Sequence, residues 1–162
     1  MDKESIMTDL CIQATDIQLP LIHEDDLAVI AMPVFAGRVP ALAVERLQKV
    51  KPNGAKCVVV AVFGNRAYDD ALLEIQDVAS EIGFRVIAAV AAVAEHSIIR
   101  KYGKDRPDAD DEQTLRHFGA DIINKAERDD CTMQQVPGNH PYKKTGKVPH
   151  PKGRHGCNRC GV

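Results

Sequence analysis

LAVIAMPVFAGRVP, residues 27–40, carries the decisive reading: an unbroken apolar run followed at once by a loop containing Pro33, Phe35, Gly37, Arg38 and Pro40. A short apolar run with acidic residues before it and Pro and Gly after it suits a strand covered on both faces, as in a parallel sheet. Each loop residue has a physical use. Pro33 ends sheet pairing, Gly37 permits positive φ or close approach to a ligand, Phe35 offers an aromatic face, and Arg38 a fixed charge. Open α/β sheets bind ligands at the carboxyl ends of their strands, so this loop is the first candidate site.

Outward from that stretch the period changes. Ala43, Leu47 and Val50 recur at helical spacing until Pro52, Asn53 and Gly54 stop them. KCVVVAVF, residues 56–63, is a second fully apolar strand, and it too ends in a loop with chemistry: Gly64, Asn65, Arg66, Ala67, Tyr68, Asp69. Leu72, Ile75, Ala79 and Ile82 mark the buried face of a second helix, closed by Gly83. Residues 84–93 read as a third strand, followed by Glu95, His96 and Ser97 and a loop through Arg106, Pro107 and Asp108. The last helix places Leu115, Phe118, Ile122, Ile123 and Ala126 on one side, with Asp110 or Asp111 as its cap. Alternating strands and helices at short spacing predict βαβ units, hence an α/β fold with an open parallel sheet between helix layers. Upstream the signals are weaker: residues 7–11 fit the end of a helix, and 11–17 a poor strand interrupted by Gln13 and Asp16.

At 162 residues, 44% hydrophobic and 27% charged, the chain suits one globular domain with a real core. No stretch approaches the roughly 18 apolar residues of a membrane span, and the first residues lack the order of a signal peptide, so a cytoplasmic location is expected. Five cysteines, Cys11, Cys57, Cys131, Cys157 and Cys160, form no disulfide framework, and Cys57 in its apolar run reads as a small buried hydrophobe. Charge divides the chain. Every Asp and Glu lies at or before Asp130, whereas Lys143, Lys144, Lys147, Lys152, Arg154 and Arg159 lie after it. Residues 1–130 are therefore an acidic domain, and residues 131–162 a basic tail whose many Pro and Gly predict no regular structure.

Three pieces in the three strand-end loops, PVFAGRVP, VFGNRAYDDAL, and AEHSI with GKDRPDADD, together resemble the flavodoxin-like domain of proteins in which a flavodoxin domain precedes a ferredoxin domain. The resemblance spans residues 27–160: PGNHPYKK looks like the linker of that family, and CNRCG like the first half of its Cys-x-x-Cys-Gly-x-Cys motif. It implies a five-stranded parallel sheet in the order 2-1-3-4-5 with FMN at the switch point, for which flavodoxin is the reference case. By resemblance, Pro33, Val34, Phe35, Ala36, Gly37 and Arg38 border one side of the flavin ring, and Phe63, Gly64, Asn65, Arg66, Tyr68 and Asp69 the other. Phe35 and Tyr68 would then flank the ring by stacking. Backbone N–H groups around Gly37, Gly64 and Asn65 would bond its carbonyls and nitrogens and tune its potential, with Gly37 the peptide free to reorient.

The sequence departs from that family at its start. Family members that bind FMN open with a strand and a Ser/Thr-rich, Gly-containing loop whose N–H groups cradle the phosphate. No glycine precedes Gly37 here. The missing strand is central in the implied order. The expectations are thus a chain without its first strand and phosphate loop, without the ferredoxin domain after Cys160, weak or absent FMN binding, and an open sheet edge where a second copy could pair.

Several residues also have plainer readings. PVFAGRVP alone is a turn between a strand and a helix; Arg38 and Arg66 can be solvated or capping; Asp69 or Asp70 can cap the second helix. His96 and Ser97 have no acid at defined spacing to make them a catalytic pair. Arg106 and Asp108 suit fixing the loop before the last helix. Cys157 and Cys160 are half of a [4Fe-4S] site, or with His150 and His155 a zinc set, or an unliganded thiol pair. The function expected is FMN-based electron transfer with a redox partner protein or ferredoxin domain, an electron carrier more than an enzyme. The alternatives are a flavin-dependent oxidoreductase using NAD(P)H, and a flavin-free α/β association module, acting as a strand-complemented dimer or touching nucleic acid through the basic tail.

Overall fold

Strands form where β-branched and small apolar residues run unbroken: β1 (Leu27–Pro33), β2 (Lys56–Phe63) and β3 (Arg85–Val93). The structure, a computed structural model, describes residues 5–10, 19–133 and 135–144. The strands make one parallel sheet in the order β1-β2-β3, with Leu27 aligned to Lys56 and Phe63 to Val93. The register shifts at Cys57/Val58, leaving Ile87 without a partner residue on β2. The Ile87 carbonyl accepts a bond from Lys125 Nζ at 2.8 Å, so the irregularity leaves that acceptor satisfied.

Helices α1 (Ala41–Leu47), α2 (Ala71–Glu81) and α3 (Ala109–Glu127) follow the three strands in turn. Gly83, at φ +104, closes α2 as the sequence predicts. On one face of the sheet, Ile30, Met32, Cys57, Val59 and Ala61 meet Ala43 and Leu47 of α1 and Leu72, Ile75 and Ala79 of α2. That face is the core. Cys57 is fully enclosed there, and burial pushes its thiol up to about 12.

The opposite face differs from expectation. β1 is not covered on both sides: it alternates, with Ile30 and Met32 buried, Leu27 and Ala31 exposed, and Val29 65% exposed. The cause is its place at the edge of the sheet with helices α1 and α2 on one side only. The apolar side predicted for the last helix is covered only in part, with Ile122 and Ala126 half-buried. No residue of α3 is buried, and Leu115, Phe118 and Ile123 are exposed, because among the strands α3 packs chiefly on β3. Polar ties hold its ends. Lys56 Nζ donates to the Ala126 carbonyl at 2.7 Å and pairs with Asp129 at 2.7 Å. Asp108, not Asp110 or Asp111, is the N-cap; it accepts from the Asp110 and Asp111 N–H groups in a reciprocal capping box.

Residues 131–133 and 135–144 contain no helix or strand, yet they lie against the body, with Val136 in the core. The weak strand expected over 11–17, and His150, His155, Cys157 and Cys160, lie outside the described residues. Among the described residues no helix is long and apolar enough to cross a membrane.

Candidate functional site at the strand carboxyl ends

The parallel register brings all three strand-end loops to one edge, and two of them interlock. In the first, Phe35 and Arg38 exchange both backbone bonds (2.8 and 3.1 Å) around Ala36 and Gly37, at φ +53 and +82. Positive φ at both central residues is the pattern of a type I′ hairpin turn. Gly suits it, but Ala at +53 costs on the order of 1 kcal/mol. Gly37 has a second reason to be glycine: a Cβ there would strike the Asp69 carboxylate. Its carbonyl accepts from the Asp70 N–H at 3.2 Å, which joins the first loop to the second.

The second loop turns at Asn65 (φ +54) and Asp69 (φ +43). Asn65 and Arg66 are exposed; Tyr68 is half-buried, packs against the core, and meets Phe63 edge to face at 5.3 Å. Phe35 is 58% exposed. The two aromatic residues predicted to flank a ring therefore differ: Phe35 presents a free face at the rim, while Tyr68 is turned toward Phe63. Val34 donates to the Val62 carbonyl at 2.9 Å and, with Pro33, carries β1 into the loop. The backbone N–H groups of Ala36, Gly37, Gly64 and Asn65 take no partner among the described residues. Ala36 and Asn65 are exposed, Gly64 is half-buried and Gly37 is buried, so these donors differ in their access to solvent.

The third loop borders the second. A Cβ on Gly64 would lie 2.8 Å from His96, and one on Gly103 would lie 3.1 Å from Asn65 Cβ. His96 is no general base in waiting: its Nδ1 accepts from the Ile98 and Ile99 N–H groups at 3.1 and 3.2 Å, which leaves Nε2 to carry the proton of the neutral ring. Arg106 holds Asp111 through two guanidinium nitrogens, and Asp111 is lowered to about 2 by that bond first and by the Asp108 N–H second. Arg106 and Asp108 thus fix the entry to α3.

Arg38, Asp69 and Asp70 point elsewhere than the rim. Arg38 makes a bidentate pair with Glu74 on α2 (2.6 and 2.7 Å), which raises its guanidinium further above the usual range. Asp70 stands at the N-cap position of α2 without capping it; its buried carboxylate accepts backbone N–H groups from Asn139 and Lys143 instead. Glu74, Asn139, Tyr142 and Lys143 were not legible as site residues, and the only sequence signal near them was the segment PGNHPYKK.

A shallow open cleft of about 420 Å³ lies beside this hub, lined by Phe35, Arg38, Val39, Val44, Glu45 and Glu74. Its carboxylates do not suit a phosphate. Among the described residues there is no cluster of three or more His, Cys, Asp or Glu placed to hold a metal. The chain matches no protein-family model, no curated protein and no solved structure.

Proposed function

We propose that this chain is the flavodoxin-like part of an electron-transfer protein and that the paired loops 33–38 and 63–69 hold the ring of FMN. The observation that carries the reading is the joined pair itself: one exposed aromatic face at Phe35 beside the unpartnered N–H groups of Ala36, Gly37, Gly64 and Asn65. Phe35 would stack on the ring, and the four N–H groups would bond its polar edge. Bound FMN supplies one- and two-electron chemistry that side chains lack. The residues do the rest: Gly37 and Gly64 let the backbone approach, and the paired Phe35–Arg38 backbone bonds fix the turn that carries the Ala36 N–H. The ring portion fits these residues, whereas no phosphate cradle occurs among the described ones. Attachment through the ring alone is therefore weak, and the sheet of the full family, with three layers and a central first strand, belongs to this same proposal.

A visible difference titration with FMN tests it. Perturbed flavin bands are expected for the chain, and Phe35→Ala, at an exposed position, should weaken binding about three- to tenfold, the worth of one aromatic stack. Unperturbed bands at millimolar protein would reject the assignment.

One observation favours a second reading, association through exposed apolar residues: Val29 on β1 and Leu115, Phe118 and Ile123 on α3 are all exposed. Sedimentation at rising concentration decides it. An oligomer dispersed by Phe118→Glu supports association, and a monomer throughout counts against it.

A further inference from the structure

Segment 137–144 has no secondary structure, yet nearly every polar group in its middle is engaged, and always with the same two loops or with helix α2, which follows the second. The Asn139 N–H and side-chain Nδ2 donate to Asp70 Oδ1 at 2.9 and 3.3 Å, and the Lys143 N–H donates to Asp70 Oδ2 at 2.6 Å. Lys143 Nζ donates to Asp69 Oδ2 at 2.8 Å, while the Lys143 carbonyl accepts from Arg38 Nη1 at 3.1 Å. The Arg38 guanidinium lies 4.6 Å from the centre of the Tyr142 ring. Tyr142 O–H donates to Asp77, which His140 Nε2 also approaches at 3.2 Å. Burial, then Asp77, raises the Tyr142 phenol above its usual range, so the hydroxyl stays a donor.

Two features separate this arrangement from casual packing. Lys143 alone touches Arg38 of the first loop and Asp69 and Asp70 of the second. Asp70, besides receiving two backbone N–H groups of the segment, sends its own N–H to the Gly37 carbonyl, so strap, second loop and first loop form one chain of bonds. Buried carboxylates that accept several backbone N–H groups are strongly held, and coupled polar networks loosen together when one member is lost.

We infer that residues 137–144 are a clasp that fixes the two loops against each other, with Asn139, Tyr142 and Lys143 as positioning residues for whatever the rim binds. That the rim binds a flavin rests on the reading above; the clasp does not. Arg38 and Asp69, for which the family resemblance implies cofactor contact, act through the clasp.

Gly138→Val tests this without altering any carboxylate or loop residue. A Cβ at Gly138 would lie 2.6 Å from Leu73 Cβ, so the variant lifts the clasp from α2. Tyr142→Ala, which removes the Arg38 and Asp77 contacts, is the second variant. Amide exchange is followed in the full chain at Phe35, Arg38 and Asp70, with Val59 and Ala61 of β2 as reference. Both variants should speed exchange at the loop amides about tenfold or more while leaving β2 unchanged. Unchanged loop exchange overturns the clasp, as does an equal acceleration in β2, which would mean plain loss of stability. An FMN titration of the same proteins separates the two claims. Loop exchange that rises in the variants although no chain binds flavin upholds the clasp and rejects the flavin reading. Binding by the parent that is undiminished in the variants overturns the clasp as a positioning device.

Discussion

The two faces of the sheet are alike in sequence and opposite in fate. Ile30, Met32, Val59 and Ile75 on or against one face are enclosed by α1 and α2, while Val29 on the other is 65% exposed and α3, packed on β3, has no buried residue. The residue types are the same. Burial is decided by what lies across from a side chain, so an apolar run predicts a strand well and its covering poorly. Energetically the covered face leads: fully burying an Ile, Met or Val contributes about 1.5–3 kcal/mol each, and on the other face β1 contributes little of this kind, although Val58, the β2 partner of Val29, is buried.

The strongest way to break that contrast is Ile75→Ala. Ile75 is 1% exposed beneath α2, and its truncation should cost about 2–5 kcal/mol in chemical denaturation, the range for cavities in a well-packed core. A loss under 1 kcal/mol would mean the covered face is not the core. Asp108→Ala comes next. α3 depends on its ends more than on burial, so removing the capping box should cost about 1 kcal/mol and reduce helical ellipticity. No change in either would show that contacts along α3 hold it after all.

Acid sharpens the comparison at the clasp. Asp70 is held below the usual carboxylate value of 3.8, first by the Lys143 N–H. A depressed folded value means the contribution is fully present above 3.8 and is lost as pH falls through the lowered value. Exchange protection of the Lys143 and Asn139 amides should thus persist from pH 7 to 5 and decline only below pH 3.8, as followed by NMR. Loss already between pH 7 and 5 would contradict the assignment to Asp70. The smallest expected effect is that of Val29→Thr, within about 0.5 kcal/mol of the parent because the side chain is mostly in solvent. A loss comparable to that of Ile75→Ala would reveal that something covers this face in solution.

Much of the framework was legible. The bounds of β2, the stop at Gly83 and the three loops at the strand ends all follow from uninterrupted apolar runs and from Gly and Pro, which are local signals. The exposed side of β1 was not, because edge position is a property of topology. The apolar side of α3 misled for the same reason: Leu115 and Phe118 show helical period whether or not anything covers them. Within the site, the positions of Gly37 and Gly64 could be anticipated, since close approach needs glycine. The clasp could not. Arg38 and Lys143 are 105 residues apart in sequence, and Asn139, Tyr142 and Lys143 make no periodic pattern. Asp70 carried a misleading local signal, an acidic residue at the start of a helix, while its carboxylate serves a partner 69 residues away.

The most direct test of the account is a fluorescence titration of the full chain with riboflavin and FMN side by side. Ring attachment through Phe35 and the N–H groups of Ala36, Gly37, Gly64 and Asn65, with no phosphate cradle among the described residues, predicts quenching of both flavins with affinities that agree within about threefold. Quenching of neither flavin would contradict the assignment of these loops to a flavin.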